Sequence, residues 1–289
     1  PDELYDTAIV YMPKVKAHLT MLLANLANVV KPQGQIFIVG HNKSGIKSCG
    51  KHLEVVCDHV NKVDSAKHCG MFVGTVKAGA KAFDLDSYLT TKTYELNDVT
   101  WQVAGLPSVF SQDALDPGTH ILLSHLPKNM KGQVLDFACG AGVIAAYVGV
   151  QHAKFNAEND SNSPLHLVLS EINALSLYCA QRTLHLNHLQ GDVIASNGLT
   201  NVEGKFAHII TNPPFHTGVN TDYSIAYGFL AQAREHLNEQ GSLVLVANSF
   251  LNYADVMLEH VGPSSKLGGN NRFSVYQAIA ARAPKVQKK

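Results

Sequence analysis

The sequence predicts an α/β fold, a mostly parallel sheet with helices on both faces, preceded by a partial and degenerate copy of the same architecture. Two observations carry that prediction. From Gly132 onward, short apolar stretches alternate with stretches whose apolar residues recur at helical spacing, and two segments near the start of the chain resemble two near its end. Strands separated by helices form βαβ units and a parallel sheet. In such sheets ligands sit beyond the carboxyl ends of the strands.

Taken in order, "GQVLDFA" reads as a strand, "GVIAAYVGVQH" as a helix, "HLVLSEI" as a strand and "ALSLYCAQRTLHLNHL" as a helix. Strands follow at "DVIAS" and "FAHIITN", then a helix at "YSIAYGFLAQAREHL", a strand at "GSLVLVAN", a helix near "YADVMLEHV" and a last strand at "RFSVYQAIAA". Ahead of these, Pro, Gly and Asp-Pro punctuation predicts a linker near residue 86, a hairpin around Asn97-Asp98 and a helix from Asp116 or Pro117 to about Leu126. Earlier still, "YDTAIVYMPK" aligns with "FAHIITNPPF", Ile9 over Ile210 and Pro13 over Pro214. "VVKPQGQIFIVGHN" aligns with "HLNEQGSLVLVANS" through a shared Gln-Gly, and the offset grows by six residues between the two blocks, which one loop absorbs. The repeat divides the chain into residues 1–85, the latter part of a degenerate domain whose first strands are expected upstream, and residues 86–289, the unit that keeps the chemistry. Tyr11-Met12-Pro13-Lys14 stands in the early copy where the later one has Asn-Pro-Pro-Phe, so the early copy is read as non-catalytic.

Composition bounds the function. A chain of 289 residues with 46% hydrophobic content builds a packed core. Lys plus Arg and Asp plus Glu both total 23, so a nucleic-acid partner would be met by local patches rather than by net charge. The five cysteines contain no CxxC pair, which fits a reducing cytosol. No basic-then-apolar leader is visible, and runs such as "GVIAAYVGV" fall short of the roughly 20 residues of a membrane span. A soluble, cytoplasmic protein is expected. The opening "PDELYD" without an initiating Met suggests that an upstream piece is missing.

Three motifs fall at strand ends. "LDFACGAGVIA" puts Asp136 at the tip of a strand and Gly140-Ala141-Gly142 at the turn into a helix, where glycine lets the backbone approach a ligand and the helix presents free N–H groups. Gly140-x-Gly142-x-x-Ala145 also fits a dinucleotide fingerprint. The next strand ends at Glu171, an acid able to take two ribose hydroxyls, after a spacing lengthened by "NAENDSNSPLH". Together these support a nucleoside cofactor without saying which. "IITNPPFH" decides: a nicotinamide enzyme has no need of it, whereas methylation of an amino group on a planar ring or amide does. Such a nitrogen has a delocalised lone pair and is a poor nucleophile. The Asn212 side-chain oxygen and the Pro213 carbonyl would hold its N–H bonds as the lone pair localises. The prolines would fix the turn, and Phe215 would offer a face for stacking.

On these residues the chain resembles the class I S-adenosylmethionine-dependent methyltransferases, "VLDFACGAG", the acid of "LSEIN", "IASN" and "NPPFH" standing as motifs I to IV. With "LPSVFSQDALDPGTHILL" ahead of motif I and a degenerate methyltransferase-like half before it, the whole chain is similar to the ribosomal small subunit methyltransferase C family. The resemblance implies a Rossmann-like class I sheet, S-adenosylmethionine as cofactor, and methylation of the exocyclic N2 amine of a guanine, position 1207, in 16S rRNA. It further implies assembled small subunits as substrate, a monomer, and no metal. Carried over position by position, Asp136, Ala138 and the turn from Gly140 to Gly142 meet the methionine portion, Glu171 the ribose, and Ser196 with Asn197 the adenine edge. Asn212 lies against both cofactor and guanine, Pro213, Pro214 and Phe215 hold the guanine, and His216 either touches the RNA or caps the next segment. Phe110 and Ser111 close over the pocket. Where the family reads Asp-x-Gly-Cys-Gly-x-Gly this chain has Ala138, an added methyl group expected to weaken cofactor binding without abolishing it.

Other signals are weaker. "GHNKSGIKS" looks like a phosphate loop, but Ile46 breaks the required Gly-Lys junction. Residues 41–81 carry an excess of lysines, including Lys43 and Lys47, which suits RNA phosphates or an ordinary solvated face. His185 and His188 sit one turn apart on an expected helix without the acid pair of a zinc site. Trp101 reads as hairpin packing. Two alternatives remain: a methyltransferase acting on adenine N6 or a glutamine side chain, or a non-catalytic RNA-binding assembly factor. Phe215 and the tandem layout argue against the adenine and glutamine acceptors, where Tyr is commoner at that position.

Overall fold

The computed structural model describes residues 3–110, 114–213 and 223–281, with side chains from residue 228 onward in the last segment. It separates into two compact units, Pro1–Leu89 and Thr90–Lys289. Among the described residues no helix is long and apolar enough to cross a membrane.

The first unit runs β1 (Tyr5–Tyr11), α1 (Lys16–Val29), β2 (Val30–His41), α2 (Cys49–Val56), β3 (Cys57–Ala66) and β4 (Cys69–Val76). Its sheet has the order β1-β2-β4-β3, with β1 parallel to β2 and the other pairs antiparallel. Leu19 and Leu23 of α1, Ile36 and Ile38 of β2 and Leu53 of α2 close its core.

The second unit opens with a hairpin, β5 (Thr90–Leu96) and β6 (Val99–Gly105). Asn97 and Asp98 turn it with φ +52° and +59°, the two positive values that a two-residue hairpin turn needs. Trp101 is buried against Tyr94 across the hairpin and edge-on to Tyr147. There follow α3 (Pro117–Ser124), β7 (Gly132–Phe137), α4 (Val143–Glu158), β8 (Leu165–Glu171), α5 (Ala174–Leu186), β9 (Gly191–Ala195), β10 (Phe206–Thr211), α6 (Tyr223–Glu235), β11 (Leu237–Asn248), α7 (Tyr253–His260), β12 (Ser264–Gly269) and β13 (Phe273–Ile279). The sheet order is β12-β13-β11-β10-β7-β8-β9. Strands covered on both faces read as near-continuous apolar runs; "VLDF" of β7 and "SLVLVA" of β11 are buried throughout, with Asp136 and Ser242 as their polar members. The chain steps outward from β7 to β9, then returns to the other side of β7 as β10. A crevice opens at that switch point, between the carboxyl ends of β7 and β10.

The structure corrects the sequence reading in three places. β12 was not legible, because "SSKLGG" has neither β-branched residues nor alternation. β13 runs antiparallel between β11 and β12, a direction that periodicity does not encode. Helix α5 ends at Leu186 and His188 has φ +55°, so His185 and His188 do not share a helix face.

The internal repeat has a structural counterpart. The order β1-β2-β4-β3 matches β10-β11-β13-β12 strand for strand. β1 pairs β2 with an irregularity between Tyr5 and Thr7, and β10 pairs β11 with one between Phe206 and His208, the aligned positions. Gln33 and Gln240 both have positive φ, +69° and +62°. Each precedes a glycine packed so tightly on the neighbouring strand that a Cβ would meet backbone oxygen at 2.7 Å (Gly34) or 2.9 Å (Gly241).

Candidate active site

At the end of β7 the chain turns through Ala138 (φ +55°), Gly140 (φ +52°) and Gly142 (φ +77°) into α4. The left-handed region costs an L-residue about 1–2 kcal/mol. Ala138 therefore adopts the conformation a glycine would take, at a strain glycine would not carry. At Gly142 a Cβ would lie 3.1 Å from Leu169 and 3.3 Å from the Ala180 backbone, so close helix packing adds to the need for glycine there. Asp136 lies beneath this turn rather than on the wall above it: it is 1% exposed, and its Oδ2 accepts from Ala145 N–H at 3.0 Å, capping α4 from the strand. Oδ1 finds no hydrogen-bond partner among the described residues. Burial, helped by the nearby Glu171 charge and opposed by the Ala145 bond, pushes the Asp136 carboxyl up to about 8.

That shift has a signed consequence. Below 3.8 the carboxyl is protonated in both folded and unfolded chains; between 3.8 and about 8 only the folded chain keeps the proton. The contribution of Asp136 to stability therefore falls as pH rises across that window. Asp136→Asn keeps an acceptor for Ala145 and removes the ionisation. Its melting temperature is expected to decline less than the wild type's between pH 5 and pH 8 (roughly the window above), and parallel profiles would refute the shift.

Glu171, at the end of β8, ties the glycine turn to the next loop. Oε2 accepts from Gly140 N–H at 3.1 Å, and Oε1 from Ile172 and Asn173 N–H at 2.8 and 3.1 Å. Ser196 follows β9 and is buried, with its hydroxyl turned into its own loop: it donates to the Gly198 carbonyl at 2.9 Å and accepts from Asn201 N–H at 3.1 Å. The exposed Asn197 beside it presents a side chain to the cavity.

β10 brings Asn212 to the same crevice. Thr211 is fully buried and its hydroxyl donates to the Phe137 carbonyl at 2.8 Å, fastening the end of β10 to that of β7. The Asn212 amide nitrogen donates to Asp116 Oδ2 at 2.9 Å and to Thr119 Oγ1 at 2.8 Å. Its Oδ1 accepts no hydrogen bond among the described residues. Pro213 is buried. A cavity of about 1090 Å³ lies over these ends, lined by Ala138, Gly140, Glu171, Ser196, Asn197, Asn212 and Pro213 among others. Asp136 and Gly142 do not line it. Phe110, 59% exposed, does, and so do Arg272 and Phe273, whose guanidinium and ring stack at 5.1 Å.

Pro214, Phe215, His216 and Ser111 lie outside the described residues. Lys43 and Lys47 are exposed on short 3-10 turns of the first unit and do not line the cavity. Among the described residues no cluster of His, Cys, Asp and Glu is placed to hold a metal. Sequence reasoning missed Asp116 and Thr119 as site residues. Asp-Pro-Gly-Thr signalled a helix start, but nothing local signalled a partner 96 residues on.

The donor set fits a nucleoside cofactor together with a flat acceptor. The cavity is at the upper end of small-molecule sites, about 300–1,000 Å³. One side offers a glycine turn, where a Cβ at Gly140 would meet nothing nearer than Phe110 Cβ at 3.9 Å, and an acid at the neighbouring strand tip. The other offers an oriented amide.

A family model described as methyltransferase small domain matches residues 100–277, and one described as methyltransferase small domain N-terminal matches residues 1–92. Proteins named ribosomal RNA small subunit methyltransferase C from Pseudoalteromonas atlantica and Serratia proteamaculans are 43% and 39% identical to this chain, over 95% and 98% of it and 77% of each of them. The solved structure of the T. thermophilus 16S rRNA N2 G1207 methyltransferase, in complex with AdoMet and guanosine, matches with a TM-score of 0.81 at 23% identity, over 96% of this chain and 74% of that one.

Proposed function

Since the chain belongs to the ribosomal RNA small subunit methyltransferase C family, we propose that it transfers the methyl group of S-adenosylmethionine to the exocyclic N2 amine of a guanine in 16S rRNA, the nucleotide numbered 1207 in its thermophilic neighbour. The observation that carries this reading is the Asn212 amide, with its nitrogen held by Asp116 and Thr119 at the end of β10, over a cavity that also holds the glycine turn and Glu171.

S-adenosylmethionine, when bound, supplies an electrophilic methyl group on a sulfonium. The chain's residues bind and orient. The turn from Ala138 to Gly142 and Glu171 hold the methionine and ribose portions, Asn197 lies along the adenine, and Asp136 supports the turn from below. Asn212 Oδ1 and the Pro213 carbonyl accept the two N–H bonds of the guanine amine, so that its lone pair points at the methyl group; as the nitrogen–carbon bond forms and the carbon–sulfur bond breaks, the amine gains positive charge and loses one proton to water. Pro214, Phe215 and His216, outside the described residues, are assigned to the base and RNA by the family resemblance alone. N2 lies in the minor groove and is engaged in a paired guanine, so the target is unpaired or extruded when it reacts. Lys43 and Lys47 of the non-catalytic first unit meet RNA phosphates. The reading carries with it a cytoplasmic monomer acting on the small subunit without a metal.

The test incubates unmethylated small subunits with the protein and methyl-labelled S-adenosylmethionine, then digests the RNA and identifies the labelled nucleoside by mass spectrometry. N2-methylguanosine at one position is the expected product. Labelled N6-methyladenosine, labelled protein or no label would each replace this reading with another.

A further inference from the structure

We propose that Asp116 and Thr119 are positioning residues that set which way round the Asn212 amide lies, and thereby restrict the methyl acceptor to a nitrogen that brings its own hydrogens. This rests on the methyltransferase reading above and adds the source of its selectivity.

The carboxylate of Asp116 has only lone pairs to offer. Its Oδ2 takes the Thr119 N–H at 2.8 Å, capping α3, and the Asn212 amide nitrogen at 2.9 Å. Thr119 Oγ1 takes the same nitrogen at 2.8 Å. An amide turned by 180° would set Asn212 Oδ1 against the carboxylate oxygen, lose the bond to Asp116 and place lone pairs in contact. The Thr119 hydroxyl alone would tolerate either orientation, since it can donate as well as accept; the carboxylate tolerates one. The orientation therefore follows from the chemistry of the partners and not only from atomic placement.

Capping α3 does not by itself require an acid. Ser, Thr or Asn would serve about as well at that position. The carboxylate adds the absence of any hydrogen that could compete for Asn212 Oδ1. Gly118 leaves room for it: a Cβ there would lie 3.0 Å from Asp116 Oδ2 and 3.3 Å from the Phe273 ring. With both amide hydrogens taken, Asn212 presents an acceptor only. An exocyclic amine satisfies it. A ring nitrogen bearing only a lone pair, or a carbonyl oxygen, does not, and would be favoured only by an amide turned the other way.

The experiment compares wild type, Asp116→Asn, Thr119→Val, Asn212→Ala and the double variant Asp116→Asn/Asn212→Ala, all as full chains. Single-turnover rate and KM on unmethylated small subunits are measured, with S-adenosylmethionine affinity by calorimetry and melting temperature alongside. Asp116→Asn keeps a good cap, so the fold should hold. Its rate is expected to fall about tenfold or more, as for other groups that orient a functional residue, with KM and cofactor affinity within about threefold of wild type. Thr119→Val should show a smaller loss. In the Asn212→Ala background Asp116→Asn should have no further effect on rate, since its action runs through that amide. A wild-type rate in both single variants, or the same proportional loss with and without Asn212, would overturn the assignment. If Asp116→Asn does not fold, Thr119→Val decides alone on the same criteria. Wild type failing to methylate a guanine amine sinks the functional reading instead.

Discussion

Asn212→Ala is expected to lower the rate of methyl transfer about 100-fold or more, the scale seen when one preorganised group at a reacting centre is removed. S-adenosylmethionine should bind within about threefold of wild type. Asn212 is fixed on three sides before any substrate arrives: Thr211 fastens the strand end to Phe137, and Asp116 and Thr119 hold the amide nitrogen. A group positioned in advance does not have to be reordered during reaction, so its loss appears in the rate rather than in binding. Alanine also leaves Asp116 with one fewer donor, but that carboxylate keeps the Thr119 N–H and is half-buried, so the fold should survive. Single-turnover kinetics with calorimetric titration separates the two effects. Loss of cofactor affinity in parallel with rate would show that Asn212 serves the cofactor and not the acceptor.

Glu171→Ala is expected to weaken S-adenosylmethionine binding about 100-fold or more. This acid does two jobs with one carboxylate. It accepts three backbone N–H groups, from Gly140, Ile172 and Asn173, and so joins the glycine turn after β7 to the loop after β8. Under the proposed function it also takes the ribose hydroxyls. Leaving a buried donor unsatisfied costs about 1–3 kcal/mol, a cost that falls at Gly140, since Ile172 and Asn173 are exposed to water. The turn should loosen as well as lose a ligand contact. Calorimetry reads the affinity, and a variant that still binds within threefold of wild type would remove Glu171 from the cofactor site. The same substitution takes a negative charge away from Asp136, whose carboxyl that charge helps to raise.

Much of this was legible in the sequence, for identifiable reasons. Strands buried on both faces, β7, β8, β10 and β11, need apolar runs and show them. The repeat was legible through Gln-Gly because that pair makes the same positive-φ turn in both units, at Gln33 and Gln240. Asp136, Glu171 and Asn212 could be placed at strand ends because strand order and strand ends together fix their neighbourhood. What the sequence did not carry was direction at atomic scale. Asp136 points beneath the turn, and the Ser196 hydroxyl is spent within its own loop. Asp116 shows as a helix cap in one dimension and as the anchor of Asn212 only in three. β12 and the direction of β13 escaped for a different reason: Ser-Ser-Lys-Leu-Gly-Gly has no pattern to read, and strand direction leaves none.

Under the proposed function an oriented amide and a neighbouring peptide oxygen hold an exocyclic amine beside the donor's sulfur-bound carbon. A crystal structure of the full chain with S-adenosylhomocysteine and guanosine tests it most directly. Guanine N2 is expected within about 3 Å of both Asn212 Oδ1 and the Pro213 carbonyl, with the Asn212 nitrogen still on Asp116. A base bound through its carbonyl edge, an amide turned to face it with nitrogen, or a guanosine lodged outside this cleft would contradict it.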